Sequence, residues 1–105
     1  MSYCEELFAK QCGDFLVTEP RREFRFSNVR KYSFDFCWPD YMIAVEIEGG
    51  VWSGGRHTRP KGFIEDMTKY NLATSLGWSV YRFHSKQVEN MDAIIFIRGV
   101  IWKTK

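Results

Sequence analysis

Between Ser33 and Gly50 the chain reads SFDFCWPDYMIAVEIEGG, two alternating apolar runs on either side of Pro39-Asp40. Alternation with a period of two marks half-buried strands, and Pro-Asp is turn chemistry, so the stretch predicts an antiparallel hairpin. With Pro39-Asp40 as its tip, Trp38 faces Tyr41, Cys37 faces Met42 and Phe36 faces Ile43. Asp35 then lies opposite Ala44, with Glu46 as its diagonal neighbour on the same face. Phe34, Phe36, Ile43, Val45 and Ile47 form a dry wall on one side. Asp35, Glu46 and Glu48 share the other.

The remaining pattern supplies the surrounding elements. Ser2 suits the cap of a helix running to about Cys12, with Glu5 and Glu6 in its first turn and Gly13 at its end. Cys4, Leu7, Phe8 and Cys12 give that helix its apolar stripe. Arg22, Phe24 and Phe26 alternate with Glu23 and Arg25 before a turn at Ser27-Asn28, which predicts a first strand. A helix follows from about Pro60 to Leu76, closed by Gly77, with Phe63, Met67 and Tyr70 on one face and Asp66, Lys69 and Ala73 on another. Trp78 to Phe83 alternates as a closing strand beside the acid strand. Ser85 suits the cap of a short turn through Glu89, and Val88, Met91, Ile94, Ile95 and Arg98 keep helical spacing toward Trp102. The expected fold is α/β, of order αβββαβα: one domain over residues 1–105, with a mixed four-stranded sheet flanked by helices.

Three carboxylates on one face of a ribbon repel unless a cation neutralises them or one keeps a proton. Oxygen ligands on rigid strands suit a hard divalent ion such as magnesium. The plain alternative is a solvated acidic face. Against it, Glu46 and Glu48 sit inside MIAVEIEGGVW, an apolar run where acids are least expected without a role. The loop that follows, GGVWSGGRHTRPKG, holds five glycines and the basic residues Arg56, Arg59 and Lys61, with His57 between them. His57 titrates near neutrality and suits proton transfer or phosphate contact, although a lone loop histidine is more often a bystander. Trp52 would anchor the loop or stack on a base. Arg21, Arg22, Arg25, Arg30 and Lys31 form a second basic group, suited to phosphate or to guarding a strand edge.

Asp35, ten residues, then Glu46-Ile47-Glu48 and Gly49 resembles the core of the PD-(D/E)XK nuclease superfamily. The order EIEGGVWSGGRHTRPKGFIEDMTKYNLATSLGWSVYRF is similar to its small single-domain branch, which includes phage-type endonucleases and relatives of very-short-patch-repair endonucleases. The resemblance covers about residues 21 to 90. It implies a restriction-endonuclease-like core and magnesium-dependent hydrolysis of DNA phosphodiester bonds, with manganese as a substitute ion. It implies Asp35 and Glu46 as metal ligands, joined by a carbonyl near Ile47, and a metal-directed glutamate from the first helix, Glu5 or Glu6. Two departures stand out. No proline precedes Asp35, and the lysine of the third motif position is Glu48 here. Glu48 is then a further ligand or the base, and Lys69 on the later helix is the candidate for the absent lysine, with an ordinary Asp66–Lys69 surface pair as the alternative. Arg82 would orient a carboxylate or a phosphate.

Length and composition set bounds on this reading. A chain of 105 residues supports one modest core, and aromatics at 17 % fill it efficiently. The net charge of +2 is too small to argue from. No stretch approaches a membrane span, and the N-terminus lacks a signal-peptide apolar region. Cys4, Cys12 and Cys37, odd in number and without CxxC spacing, read as reduced thiols of an intracellular protein, cytoplasmic, or in the host cytoplasm if phage-encoded. The expected activity is an endonuclease acting on branched DNA or nicking a strand, with a homodimer as the route to double-strand cutting. RNA is a weaker alternative substrate. The rival from another class is a catalytically weak or inactive nucleic-acid-binding or assembly module on the same fold.

Overall fold

The structure, a computed structural model, describes residues 2–49 and 60–104. Trp52, Arg56, His57, Arg59 and the Lys61 side chain lie outside the described residues. The elements run α1 (Tyr3–Phe15), β1 (Arg21–Arg25), β2 (Ser33–Trp38), β3 (Ile43–Glu48), α2 (Pro60–Ser75), β4 (Ser79–His84), α3 (Ser85–Glu89) and α4 (Asp92–Thr104). The strands form one sheet in the order β1-β2-β3-β4. β1, β2 and β3 are antiparallel neighbours, and β4 lies parallel to β3. This is the expected mixed sheet flanked by helices, with the short α3 added.

α1 starts where Ser2 Oγ accepts the Glu5 N–H at 3.2 Å. It does not stop at Gly13 but continues to Phe15, where the Leu16 N–H closes on Cys12 O at 3.0 Å. Cys4, Phe8 and Cys12 bury their side chains against Phe36, Trp38, Ile43, Val45 and Ile47 of the sheet, with Ile94, Ile97 and Ile101 of α4. The expected stripe of α4 is displaced: Ile94 is buried but Ile95 is exposed. Met91 takes a left-handed φ of 72° between α3 and α4, which resets the helical phase across the two. The cap of α3 is His84 rather than Ser85, in a capping box with Gln87.

The opposite face of the sheet carries α2 and a smaller cluster of Phe34, Cys37, Ala44, Ala73 and Trp78. α2 ends as expected at Gly77, whose φ of +98° lets the Trp78 N–H reach Ala73 O at 3.0 Å. Its expected apolar stripe is another correction. Phe63 is 58 % and Met67 48 % exposed, while Ala73 is fully buried. Small side chains in the sheet below, Cys37 and Ala44, admit the Ala73 face of the helix and leave its larger residues outside.

The hairpin is shifted from the expected register. A 3-10 turn over Pro39–Tyr41, followed by Met42 with φ 56°, gives a four-residue connection, so Trp38 pairs with Ile43 and Phe36 with Val45. The slip is two residues, an even number, so it moves no side chain to the other face by itself. It brings Asp35 directly opposite Glu46 when the ladder is continued by one pair. A second departure lies at the same level. Glu23 of β1 takes φ 48°, and the strand changes facing there. Arg22 lies over the Phe36 ring beside α1, whereas Phe24, two residues on, packs near Trp78 on the α2 side. Phe34 follows Phe24 into that second cluster instead of joining Phe36 in the dry wall.

Candidate active site

β2 and β3 part at Asp35 and Glu46, and their carboxylates take over from the ladder. Glu46 Oε2 accepts the Asp35 backbone N–H at 2.7 Å, and Asp35 Oδ2 accepts the Ile47 N–H at 2.8 Å. Glu46 Oε1 accepts from Lys69 Nζ and from the Tyr70 hydroxyl, the latter at 3.1 Å. The side chains of Glu46 and Lys69 are 6 % and 16 % exposed, so this ion pair is shielded from water. Lys69 therefore reaches the acid from the helix, and the Asp66–Lys69 surface pair is not what forms. Burial, then the neighbouring Glu46 charge, pushes the Asp35 carboxyl up to about 7, with Glu5 of α1 adding to the push; the Ile47 N–H and Lys69 act in the opposite sense.

Glu48 is engaged by β4 instead. Its Oε1 accepts from Arg82 at 3.1 Å, and the same Arg82 nitrogen lies 3.8 Å from Asp66. Arg82 stands opposite Glu46 in the parallel β3–β4 register, with its guanidinium 4.5 Å from the centre of the Tyr70 ring. Glu48, Asp66, Tyr70 and Arg82, with the exposed Phe63 and Met67, line an open groove of about 550 Å³, room enough for a nucleotide-sized group.

Other expected residues divide between the site and its surroundings. Of the two candidate glutamates on α1, Glu5 is near enough for its charge to act on Asp35, while Glu6 bonds Arg22 at 2.7 Å. Arg22 is thus engaged between α1 and the sheet. Arg25, Arg30 and Lys31 are exposed, the last two following a turn in which Ser27 Oγ accepts the Val29 and Arg30 N–H groups at 3.2 Å. Tyr70 is the site residue that the periodic pattern misassigned, because a tyrosine in step with Phe63 and Met67 reads as core. Its position next to Lys69 was the available signal.

Among the described residues no group of three or more His, Cys, Asp or Glu side chains is arranged to hold a metal ion. Arg82 draws Glu48 away, which leaves Asp35 and Glu46 as the pair. Two carboxylates still fit magnesium, which is commonly bound through one or two of them together with waters and substrate phosphates. Burial is the larger cause of the raised Asp35, and the second, the neighbouring Glu46 charge, is what a divalent ion would relieve.

No helix among the described residues is long and apolar enough to cross a membrane. No family model matches the chain, and no solved structure matches it significantly. Two proteins from strains of Mycobacterium tuberculosis, uncharacterized protein MT2308 and uncharacterized protein Rv2248, are each 35 % identical to it over 46 residues, or 44 % of this chain. The chain spans 16 % of the length of these curated relatives, and neither name states an activity.

Proposed function

We propose that the protein is a metal-dependent endonuclease that hydrolyses DNA phosphodiester bonds, on a restriction-endonuclease-like version of the mixed α/β sheet. The observation that carries this reading is the Asp35–Glu46 pair: two carboxylates facing across parted strands, one of them raised by its surroundings, with a half-buried lysine on the other. Asp35 and Glu46 would hold magnesium or manganese, with the Ile47 carbonyl on the strand between Glu46 and Glu48. The ion, when bound, supplies charge at the transferring phosphate and acidifies water.

The chain's own residues supply the rest. Lys69 brings to Glu46 the cationic donor that the resembled motif carries on the strand, where this chain has Glu48. Glu48 is then a further ligand or the base once Arg82 turns to a phosphate, and His57 is a candidate proton carrier. Arg25, Arg30 and Lys31, with Arg56, Arg59 and Lys61 of the glycine-rich loop, would pair with the polyanion backbone, and Arg22 would support them through its bond to Glu6. The expected action is cleavage of branched or damaged DNA, or nicking of one strand, with a homodimer as the route to cutting both.

The test is cleavage of labelled duplex, single-stranded, flap and four-way-junction DNA, and matching RNA, with magnesium, manganese or chelator. Cutting that needs the ion and is lost in both Asp35→Asn and Glu46→Gln supports the assignment. Binding without cutting under every ion rejects it in favour of a non-catalytic nucleic-acid module, the reading that the Glu48–Arg82 pair favours.

A further inference from the structure

We propose that Tyr70 is a positioning residue that ties the acid pair to the phosphate-facing arginine, an inference that rests on the nuclease reading and deepens it. Its hydroxyl donates to Glu46 Oε1 at 3.1 Å, while the Asp35 N–H holds Oε2 at 2.7 Å. Both oxygens of the carboxylate are thereby held by donors, with Lys69 Nζ also on Oε1. The ring of the same residue supports two cations, with Arg82 at 4.5 Å and Lys69 Nζ at 5.3 Å from its centre. One side chain therefore sets the orientation of an acid, a lysine and an arginine that come from β3, α2 and β4.

The hydroxyl is suited to this and to little else. It faces Glu46 Oε1, a carboxylate oxygen that accepts, so the phenol O–H is the donor of this pair. The ring has a separate task. Arg82 is under pull from Glu48 at 3.1 Å and Asp66 at 3.8 Å, and its side chain remains 45 % exposed at the groove. Stacking on Tyr70 keeps the guanidinium at that edge instead of over the Asp35–Glu46 pair, where it would replace the ion. Hydroxyl and ring thus serve different steps, the first cation binding and the second phosphate binding.

The two roles separate by substitution. Tyr70→Phe keeps the ring and removes the donor, and Tyr70→Leu removes both. Manganese affinity is measured by calorimetry without DNA, and KM for a cleaved oligonucleotide and the unfolding midpoint are measured beside it. Tyr70→Phe is expected to weaken manganese binding about 10-fold with KM unchanged, the size of effect usual for a group that orients a metal ligand. Tyr70→Leu is expected to add a raised KM, matched by Arg82→Gln, which leaves manganese binding no weaker than wild type. If Tyr70→Leu fails to fold, Tyr70→Phe and Arg82→Gln still separate metal affinity from KM. Unchanged manganese affinity in Tyr70→Phe, with wild type binding normally, overturns the role of Tyr70 alone. Equal shifts of KM and affinity that track reduced stability also overturn it, since a purely structural residue would behave so. Wild-type protein that takes up no manganese overturns the nuclease reading and this inference with it.

Discussion

Asp35 and Glu46 exchange places with the backbone: the Glu46 carboxylate accepts the Asp35 N–H at 2.7 Å and the Asp35 carboxylate accepts the Ile47 N–H at 2.8 Å. Side chains here satisfy donors that a continuous ladder would have paired, so the strands can part without leaving a buried N–H bare. The arrangement keeps two acids together at the cost of their mutual repulsion. Burial first, and that repulsion second, raise the Asp35 carboxyl.

It has a consequence for stability without metal. Asp35 titrates near 7 in the folded protein and near its ordinary 3.8 when unfolded. Between those values the folded state holds the proton that the unfolded state has released, so stability falls as pH rises from about 4 through 7 and then levels off. Denaturant titrations in chelator from pH 5 to 8.5 should show that fall, and Asp35→Asn, which can still accept from Ile47, should flatten it. A slope that persists in Asp35→Asn would assign the effect to another group.

Magnesium should reverse the same trend. A bound cation favours the carboxylate over the acid, so binding releases a proton and weakens below about pH 7. The rise in unfolding temperature on adding magnesium is therefore expected to be larger at pH 8 than at pH 6. Glu46→Gln should abolish it at both. A pH-independent rise would place the ion elsewhere.

How far the sequence disclosed this site is clear from individual residues. Alternation placed Asp35, Glu46 and Glu48 on one face, and the face survived because the turn over Pro39–Met42 moved the register by two residues rather than one. Direct opposition of Asp35 and Glu46 was hidden, since it depends on Met42 adopting φ 56°, which no apolar pattern encodes. Lys69 was legible as an unmatched lysine on the right helix. Tyr70 was not, because periodicity records polarity and not which face the sheet can admit. Ala73, Cys37 and Ala44 determine that face through their small size.

The Lys69–Glu46 pair gives a prediction about folding. Removing the lysine by Lys69→Met leaves a buried carboxylate with fewer partners, a loss of about 3 kcal/mol for a shielded pair of this kind. The Tyr70 hydroxyl and the Asp35 N–H keep the loss from being larger. Adding Glu46→Gln to Lys69→Met should recover much of it, because no charge is then stranded. Equilibrium unfolding of the two single variants and the double variant closes the cycle. Additive losses would mean that the two side chains do not interact in solution.

The basic residues separate by the same logic into two kinds. Arg25 and Lys31 are exposed, whereas Arg22 is held by Glu6 at 2.7 Å and lies 5.0 Å over the centre of the Phe36 ring. Replacing Arg25 or Lys31 by glutamine is expected to leave the unfolding midpoint where it is and to weaken DNA binding. For each phosphate that is no longer neutralised, the slope of log affinity against log salt should become shallower by about 0.9. Arg22→Gln should instead lower the unfolding midpoint, because it loosens α1 from the sheet edge. Its effect on the salt slope should be smaller than that of Arg25→Gln or Lys31→Gln. Fluorescence anisotropy with a labelled duplex between 50 and 200 mM salt, about the range over which phosphate pairing is most evident, separates the two classes. An Arg22→Gln slope change as large as the others, with no drop in stability, would move Arg22 into the DNA-binding group and make the Glu6 bond incidental.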